Sequence, residues 1–255
     1  PAVADVPGKD HQAPSSSRVR VLVAHSDPAV CQTIGAVVAA EGLECRQCHD
    51  GDSALAQMHS WKPQVAMVDV ALPGLYAFEV VEKVQSLSVQ DRPGIILISS
   101  VYNRTAYKRK PADLYGADDY IELHHIPDDL VPKIRALLDG RQPPAVRPPK
   151  SEQERAQWAS VNAELKKAGE RQIEGGDVRD RARQLARIIA SDIALYHHDK
   201  LSLARAGEAL ETCFAAEIEE AVRLFLDRFP GHEDLARQLV TETLQDLVQG
   251  HLHPS

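Results

Sequence analysis

Five short apolar runs punctuate the first half of the chain: VRVLVA (19–24), LECRQC (43–48), QVAMV (64–68), GIILIS (94–99) and DDYIE (118–122). The segments between them repeat apolar residues every three or four positions, the spacing that lines one face of a helix. Strands alternating with helices predict βαβ units and a parallel sheet covered on both faces. The pattern then stops. DGRQPPAVRPPK (139–150) holds four prolines and no apolar period, which reads as a semi-rigid extended linker.

Past that linker only helical patterns remain. Val178, Ala182, Leu185, Ile189, Ile193 and Tyr196 step along one face, and Leu210, Phe214, Ile218, Ala221, Phe225 and Phe229 along another. Pro230-Gly231 ends the second helix, and HEDLARQLVTETLQDLV starts a third with Leu235, Leu239 and Leu247 on its buried side. Trp158, Val161 and Leu165 mark a weaker first helix. The expected organisation is a disordered, Pro- and Ser-rich leader at 1–17, an α/β domain at 18–139, a linker at 140–150 and an all-α bundle of about four helices at 151–255.

Charge changes the picture for the second half. Residues 1–150 carry a net charge of −2 and residues 151–255 a net charge of −6, out of −8 for the chain. An acidic helical half argues against a DNA-binding output, which draws on clustered Lys and Arg. The apolar runs fall short of the roughly 20 residues that cross a bilayer, so the reading is a cytoplasmic protein without a membrane insertion. No glycine-rich phosphate loop, H-E-x-x-H or nucleophile elbow appears in the helical half, which points away from an enzyme.

Cys45-Arg46-Gln47-Cys48-His49 spells C-x-x-C-H, the pattern of covalent haem attachment. Its place on the second strand argues against haem. Side chains alternate across a strand, so Cys45 and Cys48, three apart, project to opposite faces and cannot grip one porphyrin.

VDVALPGLYAFEVV (68–81) after the third strand, ILISS ending the fourth and GADDYIE at the fifth resemble the motifs of response-regulator receiver domains in order and spacing across residues 18–139. The resemblance implies a flavodoxin-like, doubly wound five-stranded parallel sheet in the order 2-1-3-4-5. It gives Asp69 the place of the phosphoacceptor, Ser99 and Tyr120 the places of the switch residues, and a histidine kinase as the phosphoryl donor. The family also holds Mg²⁺ through acidic residues after the first strand and a Lys-Pro after the fifth. Here His25 and Ser26 stand in the acidic positions, Asp27 comes one place late, and Leu123-His124 replaces Lys-Pro.

Mg²⁺ is a hard cation that takes oxygen ligands in near-octahedral geometry, so this pocket is expected to bind it weakly or not at all. The leading reading is an atypical or pseudo-receiver coupled to a helical protein-interaction output, with no cofactor. The alternative is a working response regulator phosphorylated on Asp69, with Asp27 turned into the pocket and His124 in place of the Lys. A third arrangement would gather His25, Asp69 and His124 or His125 around a transition metal; solvated loop histidines are the commoner outcome. A homodimer is also expected. Arg104, Lys108, Arg109 and Lys110 lie close to Asp113, Asp118 and Asp119, which permits reciprocal pairing across a two-fold axis, and the seam of Trp158, Val161 and Leu165 offers a second route.

Overall fold

The computed structural model describes residues 18–99, 114–140, 178–227 and 229–249. The leader, nearly all of the linker, the helix at Trp158–Leu165 and the basic cluster at Arg104–Lys110 lie outside the described residues.

Five parallel strands form one sheet: β1 (Arg20–Ala24), β2 (Glu44–Cys48), β3 (Val65–Asp69), β4 (Gly94–Ser99) and β5 (Asp119–Glu122), in the order β2-β1-β3-β4-β5. The three inner strands, RVLVA, VAMVD and GIILIS, are buried almost throughout, which explains why they read as continuous apolar runs. The edge strand β2, ECRQC, buries only Cys48 fully and can carry Arg and Gln. Register places Asp69 beside Ile98 and Val68 beside Leu97, so β3 and β4 end together.

Helices α1 (Pro28–Ala40), α2 (Gly51–Trp61), α3 (Ala77–Gln85) and α4 (Ile126–Leu138) cover both faces. Strand alternation sorts the core. Val21, Val23, Ile96, Ile98 and Ile121 pack on one side with α1 and α4 residues, whereas Leu22, Ala24, Val68 and Leu97 pack on the other with α2 and α3 residues. Each fully buried Val, Leu or Ile contributes about 1.5–3 kcal/mol. Helix starts are written locally: the Asp27 carboxylate accepts from the Ala29 N–H at 2.7 Å, and the Asp50 carboxylate accepts from the Ser53 N–H at 2.8 Å.

The helical region comprises α5 (Val178–Tyr196), α6 (His198–Arg205), α7 (Leu210–Cys213), α8 (Ala215–Leu226) and α9 (Glu233–Gln249). α5 and α9 match the expected segments. The single helix expected over 210–229 is broken instead, because Phe214 leaves helical geometry at φ −118°, ψ 21° while its ring is wholly buried. Packing of that ring outweighs continuity of the helix. α6 has no counterpart in the sequence reading, since HDKLSLAR buries only Leu201 and Ala204.

The two regions share a core. Leu185, Ile189, Phe214, Phe225, Val240 and Leu244 cluster with Tyr76 and Phe78 from the segment after β3. In return Leu195 of α5 enters the cluster of Val68 and Leu97 under the sheet. Helix α5 is thus embedded between them, which accounts for burial nearly all round from Leu185 to Leu195.

Candidate functional site

The carboxyl ends of β1, β3 and β4 converge on Asp69, the last residue of β3, whose side chain is fully buried. One carboxylate oxygen accepts from the Ala71 N–H at 3.1 Å. The other accepts from the Ser26 hydroxyl at 3.2 Å and lies 3.8 Å from His25 Nε2. His25 is also fully buried. Its Nδ1 accepts from the Asp27 N–H at 3.0 Å, which places the proton of the neutral ring on Nε2, facing Asp69. At 3.8 Å that contact is too long for a hydrogen bond, and Nε2 has no hydrogen-bond partner among the described residues.

Ser99 ends β4, wholly buried, and its hydroxyl donates to the Asp192 carboxylate of α5 at 3.2 Å. Two further α5 side chains reach the same end of the sheet. Gln184 Nε2 donates to Ser26 Oγ at 3.4 Å and to the Ala71 carbonyl at 3.3 Å. Arg187 Nε donates to the Leu72 carbonyl at 2.9 Å and its guanidinium stacks 3.5 Å from the centre of the Tyr76 ring. Arg187 also reaches the Gly74 carbonyl at 3.4 Å. Gly74 turns the chain there at φ +77°, a conformation that side chains resist.

Residues 21–135 match the model of the response regulator receiver domain. This segment is a receiver domain. Among curated proteins, the response regulator MprA of Mycobacterium bovis is 31% identical over 126 residues, covering 49% of this chain and 53% of MprA. The probable transcriptional regulatory protein TcrX of Mycobacterium tuberculosis is 28% identical over 120 residues, covering 47% of this chain and 50% of TcrX. The chain therefore spans about half the length of these relatives. The response regulator protein TrrA of Thermotoga maritima, solved in complex with Mg²⁺ and BeF, aligns at 25% identity and TM-score 0.40 over 46% of this chain and 97% of TrrA.

Within the receiver, the acidic pair of the family's metal pocket is replaced in space as well as in sequence. His25 and Ser26 stand beside Asp69, while Asp27 is committed to capping α1. Leu123 packs with Ile121, Ile126, Leu130 and Ile134 and offers no cation. The side chain of His124 lies outside the described residues. Tyr120 is half-buried on β5, where burial, then the charges of Glu122 and Asp119, push its phenol up. One carboxylate, a hydroxyl and an imidazole do not fit the oxygen set that Mg²⁺ requires. Among the described residues no three His, Cys, Asp or Glu side chains stand close enough to hold a metal ion.

The C-x-x-C-H spelling resolves as expected from strand alternation: Cys45 packs on the α1 side and Cys48 on the α2 side. All four cysteines are free, and burial pushes the Cys31 and Cys48 thiols up to about 12. Asp118 and Asp119, expected to serve pairing between copies, are engaged within the chain. Asp118 accepts from the Ile95 N–H at 2.7 Å, and Asp119 forms a 2.6 Å ion pair with Lys133. Gln184, Arg187 and Asp192 escaped the sequence reading. The signal was an acid and a serine inside the otherwise apolar run IIASDIAL.

Proposed function

We propose that the chain is a signalling regulator in which an atypical receiver is joined to a helical output that binds a protein partner, without ordinary Mg²⁺-dependent phosphorylation of Asp69. The observation that carries this reading is the set of side chains around Asp69: His25 and Ser26 where the family has acids, and Leu123 in the core where it has a lysine. Among the described residues, a phosphoryl group developing on Asp69 would find neither the acidic metal ligands nor the lysine that neutralise its charge. The seating of α5 across the same end of the sheet adds support, since it ties the state of the receiver to the helical region.

The output reading follows from charge. The net −6 of residues 151–255 favours a protein over DNA, although TcrX, matched through half its length, is named as a transcriptional regulatory protein. The reading includes no enzymatic activity and no resident cofactor. No helix among the described residues is long and apolar enough to cross a membrane. The chain is further read as a homodimer held mainly through its helical half; light scattering of the full chain tests this, and a monomer refutes it.

Titration with Mg²⁺, followed by NMR of the amides flanking His25 and Asp69, tests the pocket. The expected result is no saturable shift. Saturable millimolar binding that Asp69→Ala abolishes overturns the reading. The second reading, a working response regulator phosphorylated on Asp69, draws on Asp69 and Ser99 at the carboxyl ends of β3 and β4 and on Tyr120 within β5 of the same sheet.

A further inference from the structure

One edge of the sheet is β2, and its main chain is only half used. The Glu44 N–H donates to the Val19 carbonyl at 2.8 Å and the Cys48 carbonyl accepts from the His25 N–H at 3.1 Å, so Glu44, Arg46 and Cys48 turn their main-chain groups towards β1. Alternation turns those of Cys45 and Gln47 outwards. Gln57 Nε2 donates to the Gln47 carbonyl at 3.2 Å. Among the described residues, the Cys45 N–H, the Cys45 carbonyl and the Gln47 N–H have no partner. No proline or bulge interrupts ECRQC, and its two charges are of opposite sign.

The side chains select a register for a strand added to this edge. Glu44 and Arg46 are exposed on the α2 side, and neither has an ion-pair partner among the described residues. The Arg46 guanidinium lies 4.6 Å from the centre of the Trp61 ring, and a guanidinium stacked in this way keeps its N–H edge for a carboxylate. A second copy of β2 related by a two-fold axis runs antiparallel, and its outward residues face outward residues. Centred on Cys45, the pairing joins Cys45 to the partner's Cys45 by main-chain bonds and brings the Gln47 N–H to the partner's Leu43 carbonyl. Each Glu44 then stands directly opposite the partner's Arg46, in the position where side chains come closest. Centring on Gln47 instead would oppose Glu44 to the partner's Asp50, a pair of like charges.

Helix α1 leaves room for that approach. Gly35 faces the edge, since a Cβ there would stand 2.5 Å from Gln47 Nε2. Beside it on the exposed side come Gln32, Ala36 and Ala39, and the two alanines let the α1 helices of two copies pass each other.

We propose that the β2 edge is a docking surface for a second copy of this chain, which continues the sheet across a two-fold axis at Cys45 with Glu44 and Arg46 paired reciprocally. This contact is additional to the homodimer through the helical half and does not depend on it. It is small, so the association is weak and governed by protein concentration.

Hydrogen exchange of the Cys45 and Gln47 amides, followed by NMR on the full chain in reducing buffer over a range of concentrations, tests it. Both amides should slow as the wild-type concentration rises, while the Glu44 amide, bonded to Val19, stays protected throughout. Glu44→Arg opposes arginine to arginine on both sides of the axis, and Arg46→Glu opposes glutamate to glutamate. Each should weaken the pairing about tenfold. Mixing these two variants restores opposite charges at every position, so protection should return in the mixture.

Cys45 and Gln47 amides that exchange fast at every concentration of wild type overturn the proposal. Protection that neither dilution nor either charge reversal alters means that something other than a second copy covers the edge, and overturns it too. Variants that stay unprotected when mixed refute the register. A dimer by light scattering whose Cys45 and Gln47 amides are unprotected refutes this contact and leaves the helical one standing. A monomer at low concentration that gains protection at high concentration does the reverse.

Discussion

Replacing Arg187 by Ala removes the most concentrated contact between α5 and the receiver. Its Nε–H donates to the Leu72 carbonyl at 2.9 Å, while the 3.4 Å bond to Gly74 is long and counts for little. A hydrogen bond from a charged donor contributes about 1.5–3 kcal/mol. The guanidinium 3.5 Å from the Tyr76 ring centre adds a cation–π interaction, about 0.5–1 kcal/mol where water reaches the group. Since Arg187 is half-buried and the terms overlap, the expected loss is about 2–3 kcal/mol. With a urea slope of about 2–3 kcal/mol/M, the unfolding midpoint read by far-UV circular dichroism should fall by about 1 M. Arg187→Lys keeps the charge but not the planar fork and should fall between. A change below about 0.5 kcal/mol, the spread of ordinary surface substitutions, would refute the claim that this residue seats the helix.

Two further substitutions and conditions follow from the same structure. Lys133→Ala leaves the Asp119 carboxylate, with 11% of its side chain exposed, without its cation, and should destabilise by about 2–3 kcal/mol; the double variant Asp119→Asn, Lys133→Met should recover most of that, and equal losses in both would contradict it. Alkali should also destabilise the fold. Cys31 and Cys48 titrate at about 12 when folded against 9.0 when free, so their stabilisation is complete below pH 9 and is lost as pH rises from 9 towards 12. Each thiol adds a slope of about 1.4 kcal/mol per pH unit in that window, and Cys48→Ala should flatten the fall in urea midpoint between pH 9 and 11; an unchanged slope would show that other groups govern it.

The receiver half was legible because its physics is local and repetitive. Continuous apolar runs announced inner strands, and the three motifs fell at strand ends where register now aligns them. Strand alternation alone separated Cys45 from Cys48. The helical half was legible only as far as one face per helix carries a period. Phe214 broke the expected helix through tertiary packing, and α6 has too few apolar residues to show a stripe. The docking stripe on α5 was hidden for a related reason. Gln184, Arg187 and Asp192 look like a solvated face until the partner surface, which lies more than a hundred residues away for Gln184 and Arg187, is in place. Asp192 within IIASDIAL was the one readable conflict, because a charge inside an apolar run calls for a partner.

The central claim concerns Asp69 and the side chains that surround it. Intact-mass spectrometry of the wild-type full chain after prolonged acetyl phosphate with saturating Mg²⁺, with Asp69→Ala as the blank, addresses it most directly. With His25 and Ser26 beside Asp69 and Asp192 on Ser99, the predicted spectrum shows no mass increase above the blank. A stoichiometric gain of one phosphoryl group, absent from Asp69→Ala, would contradict the account.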